Sequence, residues 1–396
     1  MTNNISENPR EQHPDIPQFA REKRGATLKD SCVLIMGQSP SSNTYNTSGD
    51  GLPFYQGNAD FGEENPVPRS WCTEPKKIAE KGDILISVRA PIGAINIADE
   101  KCCIGRGVAA IRPNQEVMST AFLQHQLFAS RSKLEAMGTG STFKAIGKKT
   151  LSDFPVVTYP MNIQEAIAQQ LSLIKKQIKT ANSRLDQLDS LVKSRFVEMF
   201  GNLTNNDKGW SFVELASVCD VRDGTHDSPK YCEDGYPLMT SKNFSQGFAD
   251  FSSAKFISKD DFDAISKRSK VDVGDIVMPM IGTIGHPVIV DTNRLFAIKN
   301  VALLKMNNAG INRTVLKCLL ESDYFSQVVE SHNRGATQRF ISLNNIRGLE
   351  IPVIPICLQQ EFADFVSQVD KLRFETQQQI EKLETLKKSL MQEYFG

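Results

Sequence analysis

Short apolar runs alternate with turn clusters through both halves of the chain, and each half closes on a long amphipathic stripe. The runs DILISVRA (83–90), INIAD (95–99) and GVAAIRP (107–113) carry branched apolar residues between Gly, Pro and Asp boundaries, which predicts strands. DIVMPMI (275–281), PVIVD (287–291) and VALLKM (301–306) predict the same in the second half. A helical stretch follows each set, at 119–137 and 312–332. Pro-bounded exits, FPVVTYP (154–160) and IPVIP (351–355), then lead into long helices. The first sets Ile167, Leu171, Ile174, Ile178, Ala181, Leu185, Leu188 and Val192 at alternating steps of four and three. The second carries Phe362, Val366, Val369, Leu372, Thr376, Ile380, Leu383, Leu386 and Leu390, with two phasings open around Leu372 and Leu386. This is coiled-coil spacing. Each helix of about 35 residues would be roughly 50 Å long. Neither has an internal Gly or Pro, and one apolar stripe on so long a helix requires a partner.

The two halves are copies. Gly82-Asp83-Ile84-Leu85 recurs as Gly274-Asp275-Ile276-Val277 at an offset of 192, as does Ile92-Gly93 in Ile284-Gly285. GTGSTFKAI (138–146) is echoed by RGATQRFIS (334–342), which pairs Thr142 with Thr337 and Ile146 with Ile341. Pro155 pairs with Pro352, Gln164-Glu165 with Gln360-Glu361, and Phe200-Gly201 with Phe395-Gly396. Chance similarity does not keep this order, so repetition sets the architecture. Each copy opens on a loop dense in Gly, Pro, Asn, Asp and Ser, at 36–54 and 222–238. Paired copies favour a pseudo-twofold axis, which would lay the helices antiparallel with one head at each end. The expected fold is α+β: two tandem homologous domains joined by two long antiparallel coiled-coil helices, a dumbbell. The boundaries expected are a mobile tail at 1–25, a first domain at 26–160, a central helix at 161–201, a second domain at 202–355 and a terminal helix at 356–396.

Composition narrows the class. A chain of 396 residues with 40% apolar and 23% charged positions suits two or three globular domains. No run approaches the roughly 18 apolar residues of a membrane span, and the polar N-terminus lacks a secretory signal, so a cytoplasmic protein is expected. The eight cysteines are scattered, without a Cys-x-x-Cys pair or zinc spacing, and are expected as reduced core thiols without disulfide or metal. Lys+Arg and Asp+Glu balance at 46 each, so charge alone does not suggest nucleic acid.

Catalytic readings fail on the residues. The sequence has no [DNS]-P-P-[YFW] tetrapeptide with a Gly-rich cofactor loop, no Gly-x-Ser-x-Gly and no His-Glu-x-x-His. GSTFKAIGKKT has six residues between its glycines where a Walker loop has four. Asp83 with Glu100-Lys101 has no Glu-x-Lys counterpart in the second copy, and a turn accounts better for Asp83. Two heads on a rigid bar suit two DNA half-sites, since one helical turn is roughly 34–36 Å. Polar loops of Ser, Thr, Asn, Lys and Gly favour a wet, charged partner. A coiled-coil scaffold with two protein-binding heads is the alternative, and it would call for apolar, aromatic-rich loops.

The order of turn loop, G-D-I-L-x-S-x-R-x-x-I-G, G-[ST]-x-[FQ]-[KR] and P-x-x-x-x-P leading into Q-E and a long helix occurs twice. It resembles the specificity (S) subunits of type I restriction–modification enzymes over residues 26–396. The resemblance implies target recognition domains that each read half of a bipartite DNA site, with helices that set the gap and dock two methyltransferase subunits. S-adenosylmethionine and adenine methylation would belong to those partners, and translocation and cleavage to further restriction subunits. This chain would bind no cofactor and catalyse nothing. Candidate DNA-contacting residues in the first copy are Ser39, Ser41, Asn43, Arg89, Thr142 and Lys144. In the second they are Thr225, His226, Ser228, Lys230, Tyr231, Arg334, Thr337, Gln338 and Arg339. Arg89 has Ile281 as its counterpart, so a contact there would belong to one copy only.

Overall fold

The computed structural model describes residues 22–140, 144–245, 247–281, 284–306, 310–332 and 340–396. The chain divides into two compact units, one of residues 1–181 with 379–396 and the other of residues 182–378. None of the described helices is long and apolar enough to cross a membrane.

In unit 1, β1 (Arg24–Thr27) pairs antiparallel with β11 (Pro155–Thr158). The N-terminal tail expected at 1–25 lies outside the described residues up to position 21, but Arg24 and Gly25 are strand residues. The central sheet has the order β2-β10-β7-β8, from β2 (Cys32–Met36), β7 (Ile84–Ser87), β8 (Ile95–Ile97) and β10 (Val108–Pro113). A smaller sheet has the order β3-β5-β4-β9-β6, from β3 (Tyr45–Asn46), β4 (Leu52–Tyr55), β5 (Trp71–Cys72), β6 (Ile78–Ala79) and β9 (Cys102–Ile104). On one face of β7, Ile84 and Ile86 meet Phe122, Leu123 and Leu127 of α1 (Thr120–Ala129). On the other, Leu85 meets Tyr55, Ile104 and Ala110. A strand covered on both faces loses the apolar–polar alternation, which explains the continuous DILIS run.

Unit 2 repeats the plan. β12 (Phe212–Glu214) pairs with β21 (Glu350–Pro352). The central sheet has the order β13-β20-β17-β18, from β13 (Asp220–Asp223), β17 (Ile276–Pro279), β18 (Val288–Ile289) and β20 (Val301–Lys305). Ile276 and Met278 face the helices while Val277 faces the second layer. That layer is β14-β16-β15-β19, from β14 (Tyr231–Cys232), β15 (Tyr236–Met239), β16 (Lys255–Ile257) and β19 (Ala297–Ile298).

The Gly-Asp turns are structural in both units. Gly82 and Gly274 adopt φ of 90° and 89°, a region that favours glycine. Asp83 accepts from the Glu80 amide and from the Arg112 guanidinium at 2.7 and 2.8 Å. Asp275 accepts from the Asp272 and Met306 amides and from Lys305. A buried carboxylate needs such compensation, and each sheet's β10 or β20 strand supplies the cation.

Each predicted mid-domain helix is two helices. In unit 1, α1 ends before Ser130 and α2 (Arg131–Ala136) follows; α3 (Lys148–Ser152) precedes β11. In unit 2, α5 (Lys259–Ser269) is an insertion in the second layer. Then α6 (Arg313–Leu320) and α7 (Asp323–His332) flank Ser322, whose hydroxyl donates to the Leu319 carbonyl at 2.6 Å, and α8 (Leu343–Arg347) precedes β21.

The long helices are α4 (Met161–Phe200) and α9 (Ile356–Phe395), and each contributes to both units. In unit 1, Ile167, Leu171, Ile174, Ile380 and Leu390 are buried, and Ile178 and Leu383 partly so. There Tyr394 donates to Gln170 at 2.8 Å and Phe395 meets Phe122 edge-on. In unit 2, Leu188 and Val369 are buried, Leu185 is half-buried, and Phe196, Phe200 and Phe362 form a ring cluster. Arg195 bonds Glu361 at 2.8 Å, and Arg373 pairs with Asp189, so the two segments run antiparallel within the unit. Leu372 and Leu386 are 38% and 46% exposed, which excludes them from the seam. The buried phasing runs instead through Val369, Thr376, Ile380 and Leu390.

Two further expectations need correction. All eight cysteines are free, but Cys232 and Cys357 are exposed rather than core thiols. The counterpart of Gln164 is Gln359, not Gln360. Gln164 bonds the Ser119 amide and the Tyr159 carbonyl, and buried Gln359 bonds the Asn312 amide and the Ile354 carbonyl in the same way.

Candidate nucleic-acid interface

Antiparallel pairing gathers the candidates. The register Met36↔Ala109 and Ser87↔Val108 brings the C-terminal ends of β2 and β7 beside the start of β10. The turn after β2 then lies against the turn before β10: the Gly37 amide donates to Val108 and the Gln38 amide to Ile104. A Cβ on Gly37 would sit 2.1 Å from the Gly105 carbonyl oxygen, so the approach requires glycine there.

At this edge of unit 1, the Ser39 hydroxyl accepts from the Arg106 amide at 3.4 Å and from Arg106 Nε at 3.3 Å. Ser41 and Asn43 are exposed around the turn Ser42–Thr44, with the Ser41 carbonyl accepting from Thr44. Arg89 is exposed and its backbone bridges Ala145, while the Ala90 amide donates to the Lys144 carbonyl. The structure thus sets Arg89 next to Lys144 and places both at the edge that carries Ser39.

Unit 2 builds the same edge from other side chains. The Gly224 amide donates to Val301 and the Thr225 amide to Ile298, so Gly224 and Thr225 occupy the places of Gly37 and Gln38. His226 therefore stands where Ser39 stands. The Gly105 amide donates to Tyr55 and the Lys299 amide to Met239, so Asn300 follows Lys299 as Arg106 follows Gly105, and unit 1 has one more residue, Gly107, before Val108. His226 Nε2–H donates to Asp223 at 2.8 Å, and Nδ1 lies 2.8 Å from Asn300 Oδ1. Asp223 is buried and also accepts from Arg268 of α5. Ser228 accepts from Lys299, and Thr225 Oγ1 from the Asp227 amide. Lys230 and Tyr231 lie further along, at the start of β14, with the Lys255 ammonium 4.4 Å above the Tyr231 ring. Where unit 1 has Arg89 against Ala145, unit 2 has Ile281 bridged to Phe340.

Thr142, Arg334, Thr337, Gln338 and Arg339 lie outside the described residues. The flanking register holds: the Ile146 amide donates to Val88 and the Ile341 amide to Met280. Five edge residues escaped the sequence reading: Arg106, Asp223, Arg268, Lys299 and Asn300. The signal for three of them was present. Val108-Ala109 and Val301-Ala302 are repeat counterparts, and the residues just before them, Arg106-Gly107 and Lys299-Asn300, break the apolar pattern in both copies.

Both edges offer mixed hydrogen-bond donors, acceptors and cations on a rigid sheet. Such surfaces suit recognition of a polar, anionic polymer. No group of three or more His, Cys, Asp or Glu residues is arranged for a metal ion among the described residues.

Two tandem copies of one α+β unit, alike in framework and different at one edge, define a class of paired specificity domains. The sequence profile of the type I restriction modification DNA specificity domain matches residues 23–190 and 207–385, and the chain belongs to this family. It is similar to the putative type I restriction enzyme MjaX specificity subunit of Methanocaldococcus jannaschii, with 42% identity over 160 residues. That match spans 40% of this chain and only 38% of the relative. The type I restriction enzyme EcoBI specificity subunit of Escherichia coli is 22% identical over 402 residues, covering 91% of this chain and 83% of that one. Among solved structures, a type I restriction–modification S subunit from M. genitalium matches with TM-score 0.58 and 16% identity, over 100% of this chain and 99% of that one, a likeness of fold.

Proposed function

We propose that this chain is the DNA-sequence-specificity subunit of a type I restriction–modification complex, and that it is itself non-catalytic. Each unit reads one half of a bipartite, gapped site through the edge at which its central sheet ends. The observation that carries this reading is the repeated edge itself: Ser39–Arg106 in one unit and His226–Asn300 in the other, held by equivalent backbone bonds. A scaffold for two copies of one protein partner would repeat the side chains as well as the framework.

The finer picture is a pseudo-twofold dumbbell in which α4 and α9 form an antiparallel coiled coil whose length sets the gap. Antiparallel pairing of the two helix segments in unit 2 supports it. Lys144 adds a cation to the DNA-contacting edge, for phosphates or base edges; Thr142, Arg334, Thr337, Gln338 and Arg339 lie outside the described residues and are further candidate DNA contacts. The helices dock two methyltransferase subunits, which bind S-adenosylmethionine and flip and methylate adenine, and restriction subunits complete the assembly. The protein works in the cytoplasm.

The test is genome-wide N6-methyladenine mapping in a host with the cognate methyltransferase, with and without this chain. A gapped, asymmetric motif methylated only when the chain is present supports the proposal. An identical pattern without it overturns DNA targeting in favour of a protein-binding scaffold.

A further inference from the structure

The equivalent positions at the two edges carry side chains that suit different bases, and this extends the specificity reading on which it rests. We infer that Asn300, held by His226 and Asp223, reads an A·T pair in the half-site of unit 2, and that Arg106, held by Ser39, reads a G·C pair in the half-site of unit 1.

The geometry in unit 2 is a chain of three. Asp223 is buried at the end of β13 and accepts from His226 Nε2–H at 2.8 Å. The other ring nitrogen, Nδ1, lies 2.8 Å from the Asn300 amide oxygen. Both nitrogens of His226 are thereby engaged, which leaves the imidazole no free polar edge for a base. His226 is a positioning residue. The group it positions is the Asn300 amide, on a residue with φ of 55° in the tight turn between β19 and β20. The contact with Nδ1 uses one polar position of the amide, and the remaining N–H and oxygen positions are those that the N7 and N6 edge of adenine takes bidentately.

In unit 1 the same place is filled by an exposed guanidinium. Ser39 accepts from the amide and Nε of Arg106. The two terminal nitrogens of Arg106 make no hydrogen bond or ion pair among the described residues. A fixed guanidinium with a free fork matches O6 and N7 of guanine. No counterpart of Asp223 exists there, since β2 ends on Met36 at the equivalent register.

The experiment maps methylation motifs for the full chain in its complex, as wild type and as Asn300→Gly, His226→Ala and Arg106→Ala. Glycine is chosen at 300 because it keeps the left-handed backbone. Asn300→Gly is expected to lower discrimination about tenfold or more at a single A·T position of one half-site. His226→Ala should relax the same position to a smaller degree, a selective effect that general loss of structure would not produce. Arg106→Ala should relax one G·C position in the other half-site. Unchanged stringency in a clear wild-type motif overturns the assignment alone, as does relaxation at a pair of the other type or within one shared half-site. Absence of any chain-dependent motif overturns the specificity reading and the assignment together.

Discussion

The two edges share a strand register and differ in the side chains they present. In unit 1 a serine steadies an arginine, and Arg89 stands beside Lys144. In unit 2 a buried aspartate holds a histidine and Arg268, while Ile281 and Phe340 take the place of the Arg89 bridge and are 37% and 48% exposed. Beneath the edges, the frameworks agree down to single carboxylates: Asp83 and Asp275 close the same turn on Arg112 and Lys305. Substitution has been tolerated where it changes what is met and resisted where it would strand a buried charge or fill a glycine's space. That division is what a common scaffold with separate targets requires.

The frameworks nevertheless differ in ways that stability measurements can separate, because each unit carries one of the two tryptophans, Trp71 and Trp210. The largest difference is aromatic. Phe362 packs edge-on against Phe196 and Phe200 in unit 2, where unit 1 has Ile167 in the equivalent place. Phe362→Ala should cost about 4 kcal/mol, seen as an earlier denaturant transition of Trp210 with little shift at Trp71. Equal shifts at both tryptophans would mean that the two cores unfold as one.

A pH-dependent difference comes next. His125 is buried against Ser172, at 2.9 Å, where unit 2 has Cys318. Burial, helped by Lys387 and Lys175, holds its pKa down at about 4 against an ordinary 6.5. Below pH 6.5 the unfolded chain takes up a proton that the folded ring refuses. Stability of unit 1 is therefore full above 6.5 and falls as the pH drops toward 4, by about 3 kcal/mol in total. The Cys318 thiol is pushed up to about 12 by burial and is neutral throughout that range. The Trp71 transition should carry this slope and lose it in His125→Gln, while Trp210 should not carry it in either chain.

The smallest effect concerns the paired carboxylates. The Lys305 side chain is 11% exposed and the Arg112 side chain 41%. Asp275→Asn should cost unit 2 about 2 kcal/mol, because Lys305 keeps Asp272 as a partner but loses its buried one. Asp83→Asn should cost unit 1 about 1 kcal/mol, since water reaches the guanidinium. A larger cost at Asp83 would reverse the assignment of which pair depends on burial.

Much of this was legible in the chain. The duplication exposed the Gly-Asp turns, the strands that carry them and the two long helices, because those features rest on local chemistry and regular spacing. What was hidden depends on pairings distant in sequence. The strands β3, β5 and β6 have two residues each, too few to show a period. Gln359 was misaligned by one because Gln360 lies beside it, and only the bond to the Asn312 amide tells them apart. Leu372 and Leu386 look like seam residues by type, and their exposure follows from which face meets the neighbouring helix. His226 is a candidate reader by residue type, yet both of its ring nitrogens contact Asp223 and Asn300, and Asn300 lies 74 residues away.

The central claim is that recognition resides in two separate edges and the gap in the helices. Its most direct test inserts one seven-residue repeat into each long helix at the division between units, after Ala181 and after Gln378. Seven residues add about 10 Å of helix, or about three base pairs of duplex. Methylation mapping should return both half-sites unchanged with the gap lengthened by that amount. A changed base within either half-site, or an unchanged gap, would contradict the account.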